Sequence, residues 1–173
     1  MSALVLAALL QMGPPPAPPP DVALTARARA IAERAGLPVT GIAVYVWDPW
    51  RGEYRVDAQT WVAAGYVSIF ISPLILDDAD KDGVDGLLAH ELAHFGTKCG
   101  RGRADGKDRY RNDDELVACE SKADARAASW VGRRTVIRGL CQLMAISWYW
   151  KFTTDGTVLT RRIRLLHDRK DIP

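Results

Sequence analysis

Residues 84–95 read VDGLLAHELAHF. Val84, Leu88, Leu92 and Phe95 recur at spacings of four, four and three, which predicts an amphipathic helix that ends near Gly96 or Gly100. His90 and His94 lie one turn apart on one face of that helix, so both imidazoles can reach a single metal ion. Each follows a leucine by two positions, about 200° round the helix. The histidines therefore point away from the buried leucines and toward a cleft. Glu91 sits beside that face, where a carboxylate can take a proton from a metal-activated water.

Two histidines need a third protein ligand if a zinc site is to keep its fourth position for water. Asn112, with Glu115 three residues on, makes a capping-box-like start for a second helix running through Val131. That helix carries Glu120 and, one turn later on the same face, Asp124. Glu120 is the preferred third ligand, and Asp124 is placed to accept the outer N–H of a ligating histidine. Glu115 competes for the same role, but capping and the helix dipole already explain a carboxylate in the first turn. His167 is the only other histidine and lies near the far end.

The rest of the chain supplies the frame. Of its 173 residues, 48% are apolar and 25% charged, and the net charge is +2. These values fit one ordinary globular domain and give no global field toward nucleic acid or an anionic membrane. Ser2 to Leu10 is apolar but short and has no Lys or Arg before it, so it resembles a signal peptide's apolar core only weakly, with export as the alternative to a cytoplasmic location. Pro14 to Pro20 holds six prolines in seven residues, a polyproline II spacer. Residues 1–20 thus read as an apolar leader and spacer, and 21–173 as a single domain. Neither apolar stretch, Ser2 to Leu10 or Leu140 to Trp150, reaches the roughly 20 residues of a membrane span. Cys99, Cys119 and Cys141 are an odd set without CxxC spacing, which argues against a disulfide framework and a structural zinc knuckle and for reducing, cytoplasmic surroundings.

A helix is expected from Asp21 to Ala35, and a strand from Val39 to Asp48 with Arg51 to Gln59 as its hairpin partner. Tyr66 to Ser72 alternates as a half-buried strand whose open edge could pair with an extended peptide. An acidic turn spans Asp77 to Asp82 and a mobile loop Gly100 to Asp114. Later helices are expected over Thr135 to Lys151 and Thr160 to Arg169. Cys119 reads as a small buried thiol, and most of the six tryptophans as core. The fold class is α+β, a small mixed sheet followed by a helical C-terminal part.

The pair HELAH (90–94) and ESKAD (120–124) resembles the gluzincin metallopeptidases of the CAAX prenyl endoprotease and heat-shock membrane protease type, whose pattern is HExxH followed by ExxxD. The segment Asp57 to Thr60, the strand YVSIFIS and Pro73 to Leu76 stand where that family has its edge strand and the approach to the motif helix. Arg162-Ile163 is similar to its C-terminal Arg-Ile. Asp57 replaces the family's Asn, Gly156 stands where its C-terminal His would fall, and no membrane hairpin separates the motifs. The resemblance implies a zincin-like fold with an edge strand above the active-site helix, one Zn2+ held by His90, His94 and Glu120, and Asp124 behind them. It also implies Glu91 as general base and Arg162 near the oxyanion, with Tyr149 and His167 as substitutes. The expected function is zinc-dependent endopeptidase acting on an extended protein or peptide substrate, with no nucleic acid and no membrane span. The alternative is a non-catalytic zinc-binding interaction module whose basic C-terminal helix contacts a partner or nucleic acid.

Overall fold

Asp21 accepts a hydrogen bond from the Leu24 amide at 2.8 Å and so starts the first helix. In the computed structural model, which describes residues 18–46, 58–95, 112–149 and 156–169, this helix, α1, spans Val22–Arg34. Leu24, Ala28, Ile31 and Ala32 form its buried stripe. Three strands follow: β1 Gly41–Val46, β2 Ala58–Ala63 and β3 Tyr66–Ile71. Their order is β1-β3-β2, with β1 parallel and β2 antiparallel to β3.

Two expectations about the sheet are corrected. The hairpin joins β2 to β3 rather than β1 to β2, and residues 51–57 of the expected partner lie outside the described residues. Ala64 and Gly65, with φ of +49° and +82°, form a two-residue turn whose twist suits such a hairpin. A Cβ at Gly65 would come 2.6 Å from Thr40 Oγ1, so glycine is needed there for space as well as for φ. The strand Tyr66–Ile71 is central, with neighbours on both sides, so it has no open edge for a peptide. Alternation correctly assigns the buried face of Val67, Ile69 and Ile71, but it carries no information about lateral partners. Among the described residues β1 and β2 are the edge strands, β1 packing on α1 and β2 on α3.

Helix α2, Pro73–Asp78, begins on Pro73 and occupies the start of the expected acidic turn. Asp80 then caps α3, Lys81–Ala93, accepting from the Gly83 amide at 2.9 Å. Asn112 caps α4, Asp113–Val131, accepting from the Glu115 amide at 2.9 Å. Gly132, at φ +89°, turns the chain into α5, Arg133–Tyr149. Helix α6, Gly156–Asp168, starts four residues before the expected Thr160. The expected loop at Gly100 to Asp114 lies outside the described residues up to residue 111 and is helical from Asp113.

Helix α3 lies in the middle of the molecule, in contact with α1, α4, α5 and both β2 and β3. Its approach to α5 is close because glycines face that helix: a Cβ at Gly86 would strike the Thr135 carbonyl oxygen, and one at Gly139 would come 2.7 Å from the Gly83 oxygen. The described part is therefore α+β, six helices with a small mixed sheet and a helical C-terminal half.

One composition-based expectation does not hold, and a second is met only by Trp130 among the described residues. Cys119 is disulfide-bonded, while Cys141 is an exposed free thiol. Disulfide pairing follows proximity in the fold and is not restricted to CxxC spacing. No tryptophan among the described residues is fully buried: Trp61 and Trp148 are exposed, and Trp130 packs partly on the core beneath the Arg126 guanidinium. Trp47, Trp50 and Trp150 lie outside the described residues.

Candidate metal centre

Leu88 and Leu92 turn one side of α3 into the core with no exposure to solvent. His90, Glu91 and His94 project elsewhere, as their spacing predicts. The space they face is closed over by α4 and α6, leaving His90 and Glu91 only 5% and 6% exposed. Two donors come from the last turn of α3 and one from α4. The Nε2 atoms of His90 and His94 are 3.2 Å apart. Glu120 Oε2 lies 3.0 Å from His90 Nε2 and 3.7 Å from His94 Nε2. The three donor atoms all fall within 4.8 Å of one another, a group that could hold a metal ion. The competing carboxylate Glu115 lies on the exposed face of α4 and His167 on the exposed face of α6. Neither belongs to this group.

Behind the donors is a buried support. The Nδ1–H of His90 donates to Asp124 Oδ1 at 2.8 Å, which aims Nε2 at Glu120 and His94. Arg162, brought in by α6, donates to both oxygens of Asp124, from Nε at 2.9 Å and from one terminal nitrogen at 2.8 Å. Its other terminal nitrogen is 3.5 Å from Glu120 Oε2. Such a two-pronged pairing is the strongest geometry available to a guanidinium and a carboxylate. Asp124 is fully buried and Arg162 is 7% exposed.

Each charge in the centre is held against desolvation by its neighbours. Burial pushes the Glu120 carboxyl up, but hydrogen bonds from His90 and His94 carry it well below the usual carboxylate range. Burial also raises Asp124, and Arg162, followed by His90, more than reverses it. For His90, burial and the Arg162 charge act downward, while Asp124 and Glu120 outweigh them and lift the imidazole to about 10.

The general-base candidate has a partner that its sequence context did not announce. Thr60, on β2, has its hydroxyl 2.6 Å from Glu91 Oε2 and 3.0 Å from the Glu91 carbonyl oxygen. A second contribution comes from Arg126, which donates to the carbonyls of Ala93 and Phe95 at 3.2 and 2.7 Å and so caps the C-terminal end of α3. Arg126 lies two residues after Asp124, so α4 both supplies a donor and holds the end of the helix that supplies the other two.

His90, His94, Glu120, Asp124 and Arg162 are linked side chain to side chain in this centre, and Glu91, next to His90 on α3, meets Thr60. Tyr149 and His167, the proposed substitutes near the oxyanion, are both exposed. The C-terminal helix also presents fewer unpaired cations than its sequence suggests, since Arg162 is buried and Arg161 pairs with Asp114 at 2.6 Å. No helix is long and apolar enough to cross a membrane among the described residues. Neither protein-family models nor curated proteins match the chain.

Proposed function

We propose that the chain is a zinc-dependent endopeptidase of the small, gluzincin-like kind that the HELAH and ESKAD segments resemble. The observation that carries this reading is the separation of roles at the centre: His90, His94 and Glu120 form the donor group, while Glu91 is buried next to them and outside it. A purely structural metal site has no use for a buried acid–base group beside its ligands.

The donor separations support zinc. Ligands about 2.0–2.1 Å from a tetrahedral ion are about 3.3 Å from each other, close to the 3.2, 3.0 and 3.7 Å observed between the three atoms. Two imidazoles and one carboxylate are also a donor set that zinc favours. When bound, the ion supplies Lewis acidity, activating water and polarising the scissile carbonyl.

The chain's own residues account for the proton movements. Glu91 accepts a proton as the water oxygen bonds to the carbonyl carbon, and returns it to the amide nitrogen as the C–N bond breaks. Asp124 keeps His90 in the tautomer whose Nε2 faces the ion. Arg162, expected near the oxyanion, has Nε and one terminal nitrogen engaged by Asp124; we assign it to holding that carboxylate. The substrate pairs in extended form with the edge of β2, the strand whose Thr60 reaches Glu91. The Cys119 disulfide favours an oxidising compartment over the cytoplasm.

The test is zinc content and peptide cleavage measured together. Wild type should carry near-unit zinc and cleave an unstructured protein such as casein. Glu91→Gln should keep its zinc and lose activity by a factor on the order of 10² to 10⁴. Zinc bound by wild type without cleavage would leave the binding-module reading in its place.

A further inference from the structure

The inner face of the sheet follows from the register. Ile42, Val44 and Val46 of β1 stand beside Val67, Ile69 and Ile71 of β3, and Ala58, Thr60 and Val62 of β2 stand on the other side. Eight of these nine positions are Ala, Val or Ile, as a face against helices requires. Thr60 is the exception. A hydroxyl on such a face weakens the apolar contact it replaces unless it is hydrogen-bonded, and here the hydroxyl meets the carboxylate and the carbonyl oxygen of Glu91.

We infer that Thr60 is a positioning residue for Glu91, fixing the carboxylate beside the metal donors. This rests on the peptidase reading and adds to it a residue on the strand that pairs with substrate. A glutamate side chain has three rotatable bonds, and free rotation would scatter its oxygens over several positions. A hydroxyl 2.6 Å from Oε2 restricts that set. The neighbouring carbonyl of Glu91, 3.0 Å away, places the threonine oxygen against the last turn of α3. Side chain and main chain of the same residue are therefore referenced to β2. Peptide pairing with β2 sets the scissile bond against the strand that also orients the base, and misplacement of about 1 Å can cost about 100-fold in rate.

Thr60→Val removes the hydroxyl while keeping shape and β-branching. With fluorescein-labelled casein as substrate, it should lower kcat about 10- to 100-fold with KM and zinc content unchanged. Thr60→Ser should restore most of the loss. Thr60→Ala should repeat the valine result, which covers the case of poor folding in one variant. The d–d spectrum of the cobalt-substituted protein should be the same in wild type and Thr60→Val, since no donor is altered. A valine variant with wild-type kcat, or one that loses metal along with activity, overturns the inference while leaving the peptidase reading intact. A wild type that binds zinc and cleaves nothing removes both.

Discussion

Asp124 is inaccessible to solvent and yet held ionised by Arg162 and His90. Removing one partner of such a buried pair leaves an uncompensated charge, at a cost of about 3–5 kcal/mol. Arg162→Met, which keeps the aliphatic stem, should therefore lose about that much stability in urea unfolding of the metal-free protein. Zinc affinity should fall with it, because Asp124 would no longer be fixed against His90. Asp124→Ala should weaken zinc binding by about 10- to 100-fold, measured by chelator competition. Glu115→Ala should leave affinity as it is, since that side chain lies on the exposed face of α4. An Arg162→Met variant as stable as wild type, with full zinc affinity, would mean that the ion pair is not what holds Asp124. The pairing of His90 with His94 on one helix face was legible from spacing, and Glu120 was preferred to Glu115 on chemical grounds. The role of Thr60 was not legible, because a threonine on a strand reads as surface or core only once its face is known.

Helices α3 and α5 approach through glycine. Alanine is the better helix former by about 1 kcal/mol, so propensity alone predicts that Gly86→Ala stabilises the protein. The contact predicts the reverse. A methyl at Gly86 runs into backbone, the Thr135 carbonyl, which can yield only if α5 moves. Overpacking of this kind costs typically 1–3 kcal/mol, and thermal unfolding of Gly86→Ala should show a net loss. Because α3 carries His90 and His94, the same shift should weaken metal binding. A rise in Tm would show that the two helices separate freely. Of the helix starts, the cap at Asn112 was legible in the sequence, whereas the caps Asp21 and Asp80 and the short helix α2 were not. Strand pairing was not legible either, since the hairpin depended on a two-residue turn at Ala64-Gly65 containing an alanine in the left-handed region, where glycine or asparagine is the usual signal.

The centre joins α3, α4 and α6, segments separated by long stretches of chain. A ligand that binds only this folded arrangement stabilises it by mass action, about 4 kcal/mol at a thousandfold excess over Kd. Zinc should accordingly raise the Tm of the metal-free protein by several degrees, and excess chelator should return it. His94→Ala should show no zinc-dependent shift. An equal shift in that variant would place the ion elsewhere. The Cys119 disulfide adds a constraint on α4 next to Glu120, so the experiment belongs in non-reducing buffer.

Local order in the chain was sufficient for the helical period of residues 84–95, the i, i+4 pairs His90/His94 and Glu120/Asp124, the Asn112 cap, and the α+β class. Each depends on residues within about one helical turn, where spacing translates directly into geometry. The assembly of the centre was not local. Glu120 was chosen over Glu115 on chemical grounds, and the packing of α4 on α3 is what brings its oxygen to the histidines. Arg162 turned out to lie on Asp124 because α6 packs against α4. The placement of Tyr66–Ile71 at the middle of the sheet, the place of β2 at its edge among the described residues, the bonding of Cys119 and the reach of Thr60 to Glu91 all depend on which distant segments become neighbours. A periodic pattern states which face is buried; it does not state against what.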